Sequence, residues 1–314
     1  MATTAVTTEH SHEQAGPRPS HGNRRIPWGR IFAWTAMAVL MLITLFPFYW
    51  MLRTALSSNA ALYAGSASLL PVGFSFDGFA RVFGLQTGAE AIAAGGSGQA
   101  IDFWRYLINS VIVATLVTAG QVFFSACAAY AFSRLHWPGR DVVCGFFLAG
   151  LMVPAIFTFL PNFVLIKRLG LVDTLFGIAL PGMLMTPFAV FFLRQFFMNV
   201  PVELEEAARL DGTSKLGVFF RLIIPMSAAP LSTLTLLTYI ASWNDYFWPL
   251  MVSYSDNSRL LTVGLGVFRS QTPQTGPDWS GLMAATLVAA LPMLVLFILS
   301  AKRIVNSIGF SGIK

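Results

Sequence analysis

Six predominantly apolar stretches of the chain contain no Asp, Glu, Lys or Arg: residues 31–52, 106–133, 142–166, 174–193, 222–244 and 279–301. Each reaches the roughly 20 residues that cross about 30 Å of hydrocarbon at about 1.5 Å per helical residue. Hydrocarbon offers no hydrogen-bond partner to a bare backbone, so such runs are expected to be helices. The pattern predicts an all-α membrane protein with six transmembrane helices. Pro47, Pro154, Pro161, Pro181, Pro187, Pro230 and Pro292 fall inside these runs. They are expected to kink the helices rather than end them, because neighbouring helices can satisfy the freed backbone groups.

The intervening segments orient the spans. Residues 1–30 are polar and rich in Pro, Gly, Ser, Thr and His, ending in Arg24, Arg25 and Arg30. They are expected to form a disordered cytoplasmic tail. They do not read as a secretory signal, because the following apolar run is too long and lacks an evident small-residue cleavage site. Six spans place both termini on one side. The segments on that side (1–30, 134–141, 194–221 and 302–314) hold 13 Lys and Arg residues, against 7 on the other (53–105, 167–173 and 245–278). Positive charge accumulates on the cytoplasmic side, so both termini and the 194–221 loop are predicted there. The expected organisation is therefore the tail, a six-helix domain over 31–301, and a cytoplasmic end over 302–314. Within the long outer loop, LQTGAEAIAAGGSGQA at 85–100 is dominated by Gly, Ala and Ser and reads as a flexible extracytoplasmic insertion.

Composition agrees. Of 314 residues 55% are hydrophobic and 11% charged, whereas a soluble domain carries about 25% charged residues. The net charge of +6 is spread singly between apolar runs. No basic cluster interleaved with aromatics marks a nucleic-acid surface. Cys127 and Cys144 sit within apolar runs at no metal-ligand spacing and read as small buried residues. His10, His12 and His21 are irregularly spaced in the tail, and His136 stands alone, so no metal site is expected.

One polar interruption has more structure than a linker needs. From Val200 to Pro225 it reads VPVELEEAARLDGTSKLGVFFRLIIP. Pro201 suits a helix start, and Glu203, Glu205 and Glu206 lie in the first turns, where carboxylates meet the positive end of the helix dipole. Gly212 can adopt the left-handed conformation that closes a helix. Thr213 or Ser214 can cap a second helix running into the fifth span. Leu204, Ala207, Ala208 and Asp211 share a face. Taken alone, this is equally an ordinary surface helix with a glycine stop.

The spacing resembles the EAA motif of ATP-binding-cassette importer permeases: E-A-A, three residues, G, nine residues, then I-x-L-P. Here Glu206-Ala207-Ala208 is followed by Gly212 and by Leu222-Ile223-Ile224-Pro225. The stretch from about Phe46 to Lys314 is similar to the smaller permease subunit of the maltose-type, class-1 carbohydrate uptake family. The likeness runs through FPFYWML (46–52), NSVIVA (109–114), AAYAFSRLHWPGR (128–140), VPAIFTFLPNFVLIKRLGLVDT (153–174), SWNDYFWPLM (242–251) and AKRIVNSIGFSGIK (301–314). The terminal Ser311-Gly312-Ile313-Lys314 departs from the family's usual ending.

That resemblance implies the type I importer permease fold in a bacterial or archaeal cytoplasmic membrane. The chain would form half of a carbohydrate pathway. Its partners would be a second homologous permease, a dimer of cytoplasmic ATPase subunits, an extracytoplasmic solute-binding protein and the bilayer. Glu206, Ala207, Ala208, Asp211, Gly212 and Pro225 would couple it to the ATPases, and Phe310, Ser311, Gly312, Ile313 and Lys314 would add a tail contact. ATP and magnesium would bind the partner, because this chain lacks a GxxxxGK[ST] phosphate loop; it is not expected to be an enzyme. Trp243, Asn244 and Asp245 read first as an interfacial aromatic and a helix-ending turn, and the resemblance makes them candidates for an outer gate or a binding-protein contact. Asn109, Tyr130 and Asn162 either line a pathway or bond neighbouring helices. Arg134, Arg140 and Asp141 read as topology anchors. The competing class, a secondary transporter driven by an ion gradient, usually needs ionisable residues within its spans, and the six runs have none. Oligosaccharide, monosaccharide and glycerol-phosphate cargoes all remain open.

Overall fold

The computed structural model describes residues 28–65, 68–96, 98, 101–268 and 276–309. The chain divides into two units, residues 1–47 and 48–314. Of the first, the described residues 28–47 are helical and none of 29–47 is buried, with Phe32 and Leu42 turned outward as on a lipid-facing helix. They begin α1 (Trp28–Ala55). The second unit adds the short α2 (Asn59–Tyr63), α3 (Asp77–Val82) and α4 (Gly88–Ala93), then α5 (Phe103–Arg134), α6 (Arg140–Ala149) and α7 (Ala155–Arg168). Next come α8 (Leu175–Ala179), α9 (Pro187–Met198), α10 (Val202–Leu210), α11 (Lys215–Val218), α12 (Ile224–Met226) and α13 (Ala228–Trp243). The last are α14 (Phe247–Val252), α15 (Leu261–Leu265) and α16 (Trp279–Gly309). The described residues hold no strand beyond an isolated bridge between Ser57 and Phe74.

Among the described residues three helices are long and apolar enough to cross a membrane: Gly29–Ala55, Phe103–Arg134 and Trp279–Ile298. Two expected spans are broken. Arg140–Met152 and Ala155–Arg168 meet at 102°, and Lys215–Met226 and Ala228–Trp243 meet at 78°. Counting each bent pair as one gives up to five spans, not six uninterrupted helices. The run 174–193 is the short α8, an irregular turn, and α9. The prolines explain these breaks. Pro154 caps α7 and Pro187 opens α9, where a missing N–H costs nothing, while Pro181 stands in the turn between. Pro47, Pro161 and Pro292 do lie inside helices, and Pro230 lies in the first turn of α13. Irregular backbone at membrane depth is tolerated where it packs into protein or lines a water-filled cavity. At the α8–α9 turn α5 provides that packing: a Cβ added to Gly120 would sit 2.6 Å from the Met183 carbonyl oxygen.

The long α5 is the axis of the second unit, with α8, α9, α13 and α15 packed on it. Three apolar clusters follow one another along it. Phe103, Tyr106 and Ala114 pack with Val82, Trp243, Phe268 and Ala284. Val113 and Val117 pack with Ile166, Ile178 and Leu260. Ala126, Tyr130 and Phe132 pack with Leu193, Phe197, Val218 and Ile223.

Within 85–100 the Gly- and Ala-rich composition conceals a capped helix. Thr87 N–H donates to the Glu90 carboxylate at 2.8 Å, and Glu90 N–H returns a 3.4 Å bond to the Thr87 hydroxyl. A reciprocal pair of this kind satisfies two orphan helix donors. Composition alone does not register it.

Asp173 fastens the loop after α7. It takes a left-handed backbone (φ 62°), which Asp tolerates better than most residues. Its carboxylate accepts from Tyr254 N–H at 2.8 Å, Ser255 N–H at 2.9 Å and the Ser258 hydroxyl. These bonds, led by that from Ser255, hold its pKa well below the ordinary carboxylate range. A depressed pKa adds stability above the unfolded value of about 3.9, and that contribution is lost as pH falls through the lower folded value. Asp173→Asn is therefore expected to be less stable than the parent at pH 7, with the gap closing on strong acidification. Thermal unfolding across pH measures this, and a gap that persisted at the acid end would contradict it.

Candidate functional site

The 194–221 segment folds as its local chemistry predicts, with one reassignment. α10 ends in two reciprocal bonds, Thr213 N–H to the Ala208 carbonyl at 2.9 Å and Gly212 N–H to the Arg209 carbonyl at 3.0 Å. This is the Schellman pattern, and it requires the left-handed residue that Gly212 supplies (φ 83°). Ser214, rather than Thr213, caps α11, its hydroxyl accepting from Gly217 N–H at 3.2 Å.

Beyond α11 the helix widens into a π turn over Phe219–Ile223, two residues before Pro225. The proline ring crowds the carbonyl four residues back and leaves it without its usual donor, and a widened turn accommodates both effects. The 16-residue apolar α13 starts at Ala228, after the bend, and Pro225 lies three residues before it, in the first half of the bent pair.

The three glutamates separate. Glu203 and Glu206 are exposed, as are Ala207, Asp211 and Gly212; Ala208 is half-buried. Glu205 is buried and pairs with Arg134 at 3.0 Å, side-chain exposures being 4% and 7%. Arg134 also donates to the carbonyls of Phe197 and Val200, and Tyr130 donates its hydroxyl to the Lys215 carbonyl at 3.2 Å. The Tyr130 ring lies 5.0 Å from that of Phe219. The end of α5 thus grips both sides of the exposed turn. Arg134 is a partner of the site, not merely a topology anchor. Loop charges do not announce their partners, and only the run of three glutamates within four residues hinted that one turns inward.

A Cβ at Gly212 would meet nothing within 4 Å, so the cost of adding one is conformational alone. Gly212→Ala is expected to lower stability by about 1–2 kcal/mol, and Gly212→Asn by less, since Asn tolerates positive φ. Equal melting temperatures for all three proteins would remove this role for the glycine.

Of the other candidates among the described residues, only Asn162 and Asp245 converge, on one cavity. Trp243 is buried and stacks on Tyr239 with centroids 6.2 Å apart. The Asn244 amide donates to the Ile240 carbonyl at 2.8 Å, closing α13. Asp245 lines a cavity of about 770 Å³. Asn109 bonds the Asn257 and Arg259 carbonyls, both at 2.9 Å, whereas Asn162 faces the cavity. The tail candidates Phe310 to Lys314 lie outside the described residues.

A largely helical body with apolar membrane-length helices and an exposed, internally braced helix–turn–helix defines an α-helical membrane protein. The model of the family described as "binding-protein-dependent transport system inner membrane component" matches residues 121–309. The chain is 31% identical over 287 residues to the probable ABC transporter permease protein YurM of Bacillus subtilis (strain 168), covering 91% of this chain and 89% of that one. It is 28% identical over 283 residues to the sn-glycerol-3-phosphate transport system permease protein UgpE of Escherichia coli (strain K12), covering 90% and 96%. The fold matches a chain of a bacterial ABC transporter involved in the import of the acidic polysaccharide alginate, with a TM-score of 0.72 at 24% identity over 91% of this chain and 99% of that one. The chain belongs to the binding-protein-dependent transport system inner membrane component family. It is a permease subunit of an ATP-binding-cassette importer of the inner membrane, a transport component rather than an enzyme. The ion-gradient alternative finds no support in these relatives.

Proposed function

We propose that this permease carries a carbohydrate or related polyol across the membrane, powered by ATP hydrolysed in a partner. The observation that carries the reading is the split of adjacent carboxylates on α10: Glu205 braced inward on Arg134, Glu206 presented outward beside Ala207. The outward face is suited to a close-fitting protein surface, and the inward brace is suited to passing displacement into α5. In this reading the two bent pairs and the α8–α9 pair each make one passage, giving six with both termini cytoplasmic. Charge asymmetry between the loops supports that orientation. Residues 1–30 would be a cytoplasmic tail, 31–301 the permease domain and 302–314 a cytoplasmic end.

A dimer of ATPase subunits holding ATP and magnesium would dock on Glu206, Ala207, Ala208, Asp211 and Gly212, with Pro225 setting the approach to the span and Phe310–Lys314 as a second contact. A second, homologous permease would complete the pathway, and an extracytoplasmic solute-binding protein would deliver cargo at the end bearing Trp243, Asn244 and Asp245. One relative named above is a sn-glycerol-3-phosphate transport system permease, and the fold is also similar to a chain of an alginate transporter in complex with a pentasaccharide-bound periplasmic protein, at a TM-score of 0.58 and 13% identity. These support a polyhydroxylated cargo.

Glu206→Lys is expected to insert normally yet lose ATP-driven uptake in proteoliposomes containing the co-purified importer. Parental uptake that ran without ATP on a proton or sodium gradient would sink the reading, and unchanged uptake by the variant would sink the docking role.

A further inference from the structure

The cavity that Asp245 lines is walled by α5, α7, α13 and α14 and the α8–α9 turn, and its polar groups have a definite chemistry. Asn162 reaches it from α7, half-buried, its amide bonded to no described residue. Gln121 contributes from α5 with its amide N–H donated to Thr186 at 3.0 Å, which leaves its carbonyl oxygen available. Ser242 and Asp245 come from the end of α13. Trp248 supplies an indole whose N–H is fixed on the Ile178 carbonyl at 2.9 Å and whose ring meets Phe159 edge-on at 5.5 Å. Among the described residues that line the cavity there is no Lys, Arg or His.

A volume of about 770 Å³ falls in the range of about 300–1,000 Å³ that small-molecule sites occupy, and a few convergent polar groups on apolar walls is their usual make-up. Amides and a carboxylate bond hydroxyls as both donors and acceptors, and an immobilised indole offers a flat apolar face to ring C–H groups. A phosphate or uronate would instead need guanidinium or ammonium donors. Here it would meet a lone carboxylate of its own sign in a low-dielectric setting, where like charges repel strongly.

We infer that this cavity is a cargo subsite for an uncharged sugar or polyol, with Asn162 and Asp245 bonding its hydroxyls and Trp248 carrying its apolar face. The inference rests on the permease reading above and narrows it, setting this chain apart from relatives whose names carry anionic cargo.

Saturation-transfer NMR on the detergent-purified transport complex, without solute-binding protein, tests it. The neutral probes are glucose, maltotriose and raffinose, and the anionic probe is glycerol 3-phosphate. The parent complex is expected to give signals with at least one neutral probe and none with the anion. Asn162→Ala and the near-isosteric Asp245→Asn should each weaken the neutral probe's apparent Kd at least tenfold, in complexes that still elute as one assembly with the ATPase. A response to glycerol 3-phosphate, silence from every neutral probe, or affinities unchanged by both variants would overturn the subsite. Proteoliposome uptake separates the two levels: an ATP-driven anion flux would remove only the subsite, whereas flux without ATP would remove the permease reading beneath it.

Discussion

Glu205→Ala is expected to lose ATP-driven transport and to destabilise the folded subunit by about 3–5 kcal/mol, the usual consequence of leaving a buried charge without its partner. Arg134 is the charge left behind. At 7% side-chain exposure it cannot turn to water, and its bonds to the Phe197 and Val200 carbonyls neutralise none of its charge. The loss should register as a lower melting temperature in detergent and as failed uptake. Arg134→Met combined with Glu205→Ala should recover much of the stability, because an apolar pair in place of a buried ion pair is often neutral or better. Transport should not return to the same extent, since the stiff link between α10 and α5 would still be absent. Parental melting and uptake in the single variant would refute the brace.

Asp278→Ala is expected to have an effect of similar size at the far end of α5. Arg81 Nε meets one Asp278 oxygen at 2.8 Å and a terminal guanidinium nitrogen meets the other at 2.9 Å, with side-chain exposures of 4% and 0%. A two-pronged pair of this kind is among the stronger polar contacts in proteins. The same carboxylate accepts from Gly281 N–H at 2.9 Å, capping the start of α16, while Arg81 also bonds Ser280 at 2.6 Å. Loss of the ion pair, about 3–5 kcal/mol, adds to loss of the cap, about 1 kcal/mol. Limited proteolysis of the 53–105 loop should accelerate sharply, because α3 is held on α16 by this pair. An unchanged cleavage rate together with an unchanged melting temperature would show the pair to be dispensable.

Both pairs mark where sequence reading stopped. Arg81 and Asp278 are 197 positions apart, and Arg134 is separated from Glu205 by the whole of α6 to α9. In the sequence each was a loop charge, useful for orientation, with nothing local to name its partner. The spans of α1, α5 and α16 were legible because an uninterrupted apolar run and a membrane-crossing helix have the same length requirement. The run at 174–193 satisfied that requirement too, yet Pro181, Gly182 and Pro187 broke it, leaving a part-exposed turn whose Met183 packs against Gly120 and whose Pro181 and Gly182 line the cavity. The helix, glycine turn and second helix at 202–218 were legible because their determinants are local. The wide turn at Phe219–Ile223 was not, since its cause is a proline further on acting through a packed environment.

The length of α5 carries a mechanical implication. Thirty-two residues at about 1.5 Å each make a rod of about 48 Å, so a tilt of about 10° pivoting at one end sweeps the other through about 8 Å. The rod is clamped at one tip through its Arg134 and Tyr130, and toward the other its Asn109 and Ser110 bond the backbone of residues 257–261. A partner that shifts α10 by the breadth of a single side chain would therefore have leverage on the opposite rim of the subunit.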